Sequence, residues 1–209
     1  MIYDITPPIS ESLAVWPGDT PVTRQVLLDM DRGDNLTLST VRATVHLGAH
    51  ADAPSHYGRG APSIEHRRLA DYLGPCEVIR VAAQPGARIS AELLPASFST
   101  PRILLATGTY ADPRRFDERF AALDPALVDD LARKGVRLVG IDTPSVDLFD
   151  SKDLPAHRRF LAHDMSILEG LVLHEVPAGQ YELIALPLPL VGFDASPVRA
   201  ILRTLDAGG

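Results

Sequence analysis

The segment HLGAHADAPSHY, residues 46–57, carries three of the chain's seven histidines and one aspartate among mostly small residues. The four polar side chains are those of His46, His50, Asp52 and His56. Imidazole nitrogens and carboxylate oxygens are the donors that bind zinc and similar divalent ions in proteins. Their concentration in one short segment indicates a metal centre rather than a polar surface loop.

The spacing of these residues restricts the backbone that could join them. The four side chains lie at even offsets, so a strand would place them on one face. A straight strand, however, would separate His46 and His50 by roughly 13 Å, whereas two donor atoms on one zinc ion lie within roughly 4 Å of each other. A helix would turn Asp52 away, and Gly48 and Pro54 disfavour it. The spacing therefore predicts a strand that ends near His46 and continues into a tight loop, which the small residues permit.

The elements that must position this loop follow from hydrophobic periodicity and from helix-capping residues. Predicted strands cover residues 1–6, 23–30, 36–46, 76–83, 102–108, 136–142, 170–176 and 181–192. Predicted helices cover residues 64–74, 124–135, 154–164 and 196–205, with a helical turn at 90–96. The helix at 124–135 is marked by Asp124, Pro125 and Gly135, and the helix at 196–205 by Ser196 and Pro197.

Strands and helices are mixed without strict alternation, which favours an α/β layered domain with a mixed β-sheet flanked by helices over a Rossmann fold. The length of 209 residues is typical of one domain, so residues 1–209 are predicted to form a single domain. The sequence contains no G-x-G-x-x-G, Walker, C-x-x-C or G-x-S-x-G motif, which argues against nucleotide-binding, thiol-redox and α/β-hydrolase functions.

Charge and composition limit the partners further. The net charge of −7 argues against nucleic-acid binding. The single cysteine, Cys76, excludes an intrachain disulfide and is predicted to be a small core residue. The N-terminal segment has no basic start or long apolar run, and no stretch is long enough to span a membrane, so a cytoplasmic protein with no membrane partner is expected.

The segment HLGAHADAPSH resembles the H-x-G-[TA]-H-x-D-x-P-x-H signature of the metal-dependent cyclase superfamily. Within that superfamily the chain resembles the bacterial kynurenine formamidases (arylformamidases) almost end to end. The added blocks are WPGDTP at 16–21, GIDTPSVD at 140–147, LPAH at 154–157, ILEGLVL at 167–173 and DASPVRAILR at 194–203. The resemblance implies a swivelling β/β/α fold, a homodimer and two zinc ions per subunit.

The resemblance also implies the metal ligands. His46, His50 and Asp52 match the ligands of the signature. The family pattern adds a histidine followed twelve residues later by a glutamate, and two pairs in this chain have that spacing. His157 with Glu169 is preferred over His163 with Glu175, because only the first pair places ILEG at the glutamate. By this analogy Asp52 and Glu169 bridge the two zinc ions.

The remaining roles follow from the same resemblance. His56 matches the general acid–base histidine, and Trp16 matches a tryptophan that contacts the substrate. The implied reaction is hydrolysis of N-formyl-L-kynurenine to L-kynurenine and formate. Two other readings stay open: a related hydrolase of a cyclic amide or lactone, such as isatin, and a non-catalytic metal-binding protein. A substrate panel distinguishes the first, and metal stoichiometry with an activity assay distinguishes the second.

Overall fold

The computed structural model describes residues 1–205. The strands are β1 Ile2–Asp4, β2 Thr23–Leu28, β3 Leu38–Arg42, β4 His50–Asp52, β5 Leu73–Arg80, β6 Arg88–Ile89, β7 Arg102–Ala106, β8 Ala122–Leu123, β9 Leu138–Ile141, β10 Ser166–Glu169, β11 Gly179–Ile184, β12 Ala195–Pro197 and β13 Ile201–Thr204. The α-helices are α1 Pro54–Tyr57, α2 Pro125–Arg133 and α3 Pro155–His163. Short 3₁₀ helices cover Met30–Arg32, Ile64–His66, Leu69–Asp71 and Ala91–Leu93. The last four residues of the predicted domain lie outside the described part.

A mixed sheet organises the described part of the chain. Across residues 1–205 its nine strands run in the order β1-β13-β11-β5-β7-β9-β10-β4-β12. The central strands β5, β7, β9 and β10 are parallel, and the flanking strands on both sides pair antiparallel. The predicted fold class, an α/β layered domain with a mixed sheet, is therefore confirmed. Strands β2 and β3 form a separate hairpin, and β6 and β8 a separate short pair.

Strands β7, β9 and β10 are buried on both faces, and alternate residues of these strands belong to different cores. One core joins Ile103, Leu105 and Ile167 of the sheet to Leu127 of α2 and Phe160 of α3. The opposite core joins alternate sheet residues such as Leu104 and Leu168 to side chains from irregular segments, among them Ile5, Tyr72 and Leu173. Both longer helices therefore cover the same face of the sheet. The predicted core position of Cys76 is confirmed, since its side chain is fully buried.

Helix α2 is the element that the sequence predicted best. Asp124 accepts a hydrogen bond from the backbone N–H of Ala126 at 2.8 Å and so caps the helix. Pro125 occupies the first turn, and Gly135 adopts a φ of 82° just after the last turn. Each capping residue therefore occupies the position that its type favours.

Three predicted elements were wrong. Residues 196–205 form strands β12 and β13 rather than a helix, and Ser196 Oγ accepts from the backbone N–H of Leu188 instead of capping a helix. Residues 64–74 form two 3₁₀ helices and the start of β5. The strand predicted at 170–176 lies earlier, at Ser166–Glu169, because that segment pairs with both β9 and β4.

Within residues 1–205 no helix has the length and apolarity needed to cross a membrane.

Candidate metal centre

Strand β4 is the base of the candidate site. It lies between β10 and β12 and is antiparallel to both. His50 and Asp52 are two residues apart, so they project from the same face of β4. The register places Glu169 of β10 directly opposite His50, and His50 Nε2 lies 3.3 Å from Glu169 Oε2. His50 Nε2 also lies 3.5 Å from Asp52 Oδ1, so strand pairing alone brings three of the predicted ligands together.

His46 reaches the same point from an irregular segment. The preceding strand β3 ends at Arg42, four residues before the predicted end, and β4 starts at His50 rather than within a loop. The predicted tight turn falls between them, where Gly48 adopts a φ of 55°. The turn places His46 Nδ1 3.2 Å from Asp52 Oδ1. The small residues thus allow His46 to lie close to Asp52, as the spacing required. Part of the segment, however, is a strand rather than a loop.

His157 comes from helix α3. Its Nε2 lies 3.4 Å from Asp52 Oδ2 and 3.7 Å from Glu169 Oε1, so it completes the cluster. His163, the alternative, lies at the other end of the helix with its Nε2 2.7 Å from Asp129 Oδ1. Glu175, the partner of that alternative, has a side chain that is 86% exposed. The structure therefore brings His157 and Glu169, not His163 and Glu175, to the signature residues.

Asp147 orients His157, and sequence reasoning did not single it out. Its fully buried carboxylate accepts from His157 Nδ1 at 2.9 Å and from the backbone N–H groups of Ala156 and His157 at 3.1 Å. One side chain thus caps the first turn of α3 and fixes the imidazole so that Nε2 faces Asp52. The available signal was its place in the GIDTPSVD block and the absence of a capping side chain at Leu154, the residue before α3.

Glu169 Oε1 accepts a hydrogen bond from the backbone N–H of Val146 at 2.7 Å. Four other donor atoms of this cluster lack a hydrogen-bond partner among residues 1–205. His50 Nε2, His157 Nε2 and both carboxylate oxygens of Asp52 are buried without one. His50 Nδ1 donates to the carbonyl oxygen of Gly48 at 2.8 Å, so Nε2 carries the free lone pair. Buried polar atoms left unpaired are costly, and a cation among lone pairs removes that cost. The imidazole and carboxylate donors therefore fit a divalent metal ion.

The electrostatics of the cluster point the same way. Burial opposes charge on His46 and His157, but hydrogen bonds to neighbouring carboxylates outweigh it and raise the pKa of His46 to about 9 and that of His157 to about 10. Burial likewise opposes the charge on Asp52, yet the imidazoles of His157 and His46 close to its carboxylate hold its pKa well below the usual range. The pocket thus favours positive charge at its centre.

His56 lies at the edge of the cluster. It projects from the short helix α1, which begins at Pro54 where a bend in a loop was predicted. Its ring centroid is 4.2 Å from that of His46, and burial lowers its pKa. Among residues 1–205, two groups of donor atoms lie within 4.8 Å of one another: His50 with Asp52 and Glu169, and His46 with Asp52 and His56. Asp52 belongs to both groups, as expected of a bridging carboxylate.

A cavity of about 760 Å³ opens onto these residues. Trp16 lines one wall, and its ring centroid lies 5.0 Å from that of Phe149 and 5.4 Å from that of Phe116. Tyr110 and Phe116, from the segment that follows β7, line the cavity as well. Trp16 is thus part of an aromatic cluster that borders the cavity, a position suited to an aryl group.

The family model that matches residues 3–148 is described as "Putative cyclase". The chain belongs to the cyclase family. The matched range contains the signature segment and the orienting Asp147, whereas His157 and Glu169 lie beyond it.

Solved structures agree with this cyclase-family assignment. One, described as a potential metal-dependent hydrolase with cyclase activity, is 29% identical with a TM-score of 0.83, covering 97% of this chain and 96% of that one. A structure described as a "predicted metal-dependent hydrolase from Bacillus stearothermophilus" is also 29% identical, with a TM-score of 0.80 and 97% coverage of each chain. Isatin hydrolase A from Labrenzia aggregata, at 21% identity, shares the fold with a TM-score of 0.79, covering 98% and 94%. The two structures at 29% identity are thus both described as metal-dependent hydrolases, and they share the fold of this cyclase-family chain.

Proposed function

We propose that this cyclase-family hydrolase is an arylformamidase that converts N-formyl-L-kynurenine to L-kynurenine and formate with two zinc ions. The observation that carries the proposal is a cluster of unpaired imidazole and carboxylate donors beneath a cavity walled by aromatic rings. His56 stands beside that cluster as a histidine available for proton transfer.

The ligands divide between the two ions as the resemblance implies. His46, His50, Asp52 and Glu169 would hold one ion, and Asp52, His157 and Glu169 the other. Such ions supply Lewis acidity for the formyl oxygen and lower the pKa of a water molecule. The carboxylates of Asp52 and Glu169 would offset part of the charge of two dications, which neutral imidazoles alone could not do. Nitrogen and oxygen donors suit zinc, so zinc is the proposed metal.

His56 would move the proton. Its pKa is lowered by burial, so the ring is largely neutral at pH 7 and can first accept a proton. Its Nδ1 lies 3.4 Å from Asp194 Oδ2, which leaves Nε2 to accept a proton and then donate it to the departing aniline nitrogen. Protonation matters because an unprotonated anilide is a poor leaving group.

The aromatic wall would bind the aryl ring. Trp16 and Phe116 provide apolar surface beside the cluster. Among the described residues that line the cavity there is no lysine or arginine. The wall would therefore recognise the ring and its formamide, while the amino-acid carboxylate of N-formylkynurenine stays at the solvent-exposed mouth.

Hydrolysis of a cyclic aryl amide, such as isatin, is the second candidate. The shared fold of the isatin hydrolases and the same aromatic wall favour it, because both substrates present an aryl C–N bond. The two candidates are separated by measuring kcat/KM for N-formyl-L-kynurenine, formanilide and isatin. The protein used should have a measured zinc content. Arylformamidase activity requires the two formamides to be preferred, and a preference for isatin would reject it.

Two variants test the assigned roles. His56→Ala should lower kcat by about 10²–10⁴-fold while zinc content stays near that of the wild type, because the proposed role of His56 is proton transfer rather than metal binding. Asp52→Ala should lose zinc as well as activity, because Asp52 touches both donor groups. Zinc measured by atomic emission alongside formamide hydrolysis distinguishes the two. Zinc loss in His56→Ala would make His56 a ligand instead.

We also propose that the protein is a homodimer. The β2–β3 hairpin, residues 23–42, carries exposed apolar side chains, which are those of Leu27, Met30, Leu36, Leu38 and Val41. Exposed apolar surface of this kind marks contact sites. Light scattering with Leu38→Glu/Val41→Glu tests the assignment: the variant should be monomeric where the wild type is dimeric. A monomeric wild type would reject the dimer without bearing on the reaction.

A further inference from the structure

Asp194 lies where the backbone leaves it little freedom. It directly precedes β12, whose first residue, Ala195, pairs with Asp52 of β4. The carbonyl oxygen of Asp194 accepts from the backbone N–H of Ala53 at 2.9 Å. The neighbouring Phe193 carbonyl accepts from the N–H of Ile64 at 2.9 Å. These bonds hold the Asp194 side chain beside helix α1, which carries His56.

The carboxylate of Asp194 lies between two imidazoles. Its Oδ2 is 3.0 Å from His46 Nε2 and 3.4 Å from His56 Nδ1. Within residues 1–205, no other carboxylate lies within 4.0 Å of a His56 ring nitrogen. His46 presents its other nitrogen, Nδ1, to Asp52, so Asp194 lies on the side of His46 away from the metal donors. Almost half of the Asp194 side chain is exposed, as expected at a cavity mouth.

We propose that Asp194 is a positioning residue for hydrolysis: it acts through His56, holding Nδ1 so that Nε2 faces the scissile bond. The proposal rests on the proposed function of His56. A carboxylate that receives Nδ1–H fixes the tautomer of an imidazole and stabilises the imidazolium formed when Nε2 takes a proton. Catalytic hydrogen bonds commonly tighten when substrate binds, so 3.4 Å is compatible with this role.

The pair formed by Asp147 and His157 shows the same principle elsewhere in the site. There a carboxylate binds Nδ1 at 2.9 Å and aims Nε2 at the metal donors. Asp194 differs because its imidazole partner His56 lies on α1 and its carboxylate is open to the cavity. We assign the pair of Asp147 and His157 to metal binding and the pair of Asp194 and His56 to proton transfer.

The kinetic test is a double-mutant cycle of Asp194→Asn and His56→Ala on para-substituted formanilides. Asp194→Asn should lower kcat by about 10- to 100-fold with KM changed less than about twofold, and most for anilines that leave poorly. It should lower kcat no further in the His56→Ala background, because the carboxylate acts through that ring. Asp194→Glu should restore part of the rate. Asp153→Asn, an exposed carboxylate with a side chain 90% exposed, is the charge-matched control.

Two further readouts separate Asp194 from the alternatives. Zinc content should match the wild type in Asp194→Asn, and zinc loss that accounts for the rate change would overturn the proposal in favour of an effect through His46. Nitrogen NMR of the imidazoles should show His56 protonated at Nδ1 in the wild type and redistributed in Asp194→Asn. An additive cycle or an unchanged tautomer would also overturn it. Failure of wild-type protein to hydrolyse any formanilide would instead reject the proposed function, while the NMR result still judges the pairing.

Discussion

His50 and Glu169 face each other across the antiparallel strands β4 and β10, with 3.3 Å between Nε2 and Oε2. A shift of one residue in this register would turn one of the two side chains to the opposite face of the sheet and separate it from the other. The pairing of β4 with β10 therefore also brings two of the proposed metal ligands together. A change that disturbs the pairing of His50 with Glu169 should therefore affect both metal binding and the pairing of β4 with β10.

The first prediction uses two histidines of helix α3. His157→Ala should reduce zinc content and lower kcat/KM by more than about 100-fold, because it removes a donor that no neighbour can replace. His163→Ala is the matched control: its ring contacts Asp129 at the far end of the helix, so both quantities should stay within twofold of the wild type. Zinc analysis and formamide kinetics provide the measurements. Zinc loss in the control variant alone would restore the His163–Glu175 alternative.

The second prediction tests whether Asp147 orients His157, with the helix-capping residue Asp124 as the comparison. Asp147→Asn should weaken zinc affinity by about 10- to 100-fold, since its carboxylate orients His157 and is not placed on the metal. Asp124→Ala removes the cap of α2 and should cost about 1 kcal/mol of unfolding free energy with unchanged zinc affinity. Competition with a fluorescent chelator and thermal unfolding measure the two effects. Equal zinc affinity in both variants would contradict the orienting role.

The third prediction concerns the contact between Gly170 and Gly48. A Cβ at Gly170 would lie 2.2 Å from the Gly48 carbonyl oxygen, which accepts the His50 Nδ1 hydrogen bond. Gly170→Ala should therefore cost more than about 2 kcal/mol of unfolding free energy and reduce zinc content. Gly135→Ala also requires a positive φ, at 82°, but meets open space. It should cost only about 1 kcal/mol and keep zinc content intact. Denaturant unfolding shows whether the two variants differ in this order.

The fourth prediction is a pH dependence of stability at Asp129. The bond from His163 and the bond from Arg159 lower the pKa of this carboxyl group in the folded state. A lowered folded-state pKa stabilises the fold above the unfolded pKa of about 3.9, and the contribution disappears as pH falls through the folded value. Asp129→Asn should therefore destabilise the protein at pH 7 by less than about 1 kcal/mol, the screened value for an exposed pair. The wild-type and variant unfolding curves should converge in acid, and a difference that grows in acid would reverse the sign.

Local sequence signals were sufficient to predict an element where its bounds depend only on neighbouring residues. Asp124, Pro125 and Gly135 bound α2 as their types predict, because capping depends on the nearest few residues. The same logic failed at Ser196 and Pro197, where helix-start residues occupy strand β12. Pairing of β12 with β4 satisfies backbone groups that a helix would have satisfied internally. The sequence of residues 196–205 alone does not reveal whether a partner strand is present.

The sequence by itself determined which donors this protein has and how small their neighbours are. The signature from His46 to His56 implies a metal, and its glycine and alanines imply a tight approach. Only the tertiary structure decided which distant histidine and glutamate join them, and that Asp147 and Asp194 face the imidazoles. The physical reason is the distance along the chain over which each effect acts. Residue type and local spacing set the donor chemistry and the turns. The distances between donor atoms from different strands and helices depend instead on strand register and helix packing.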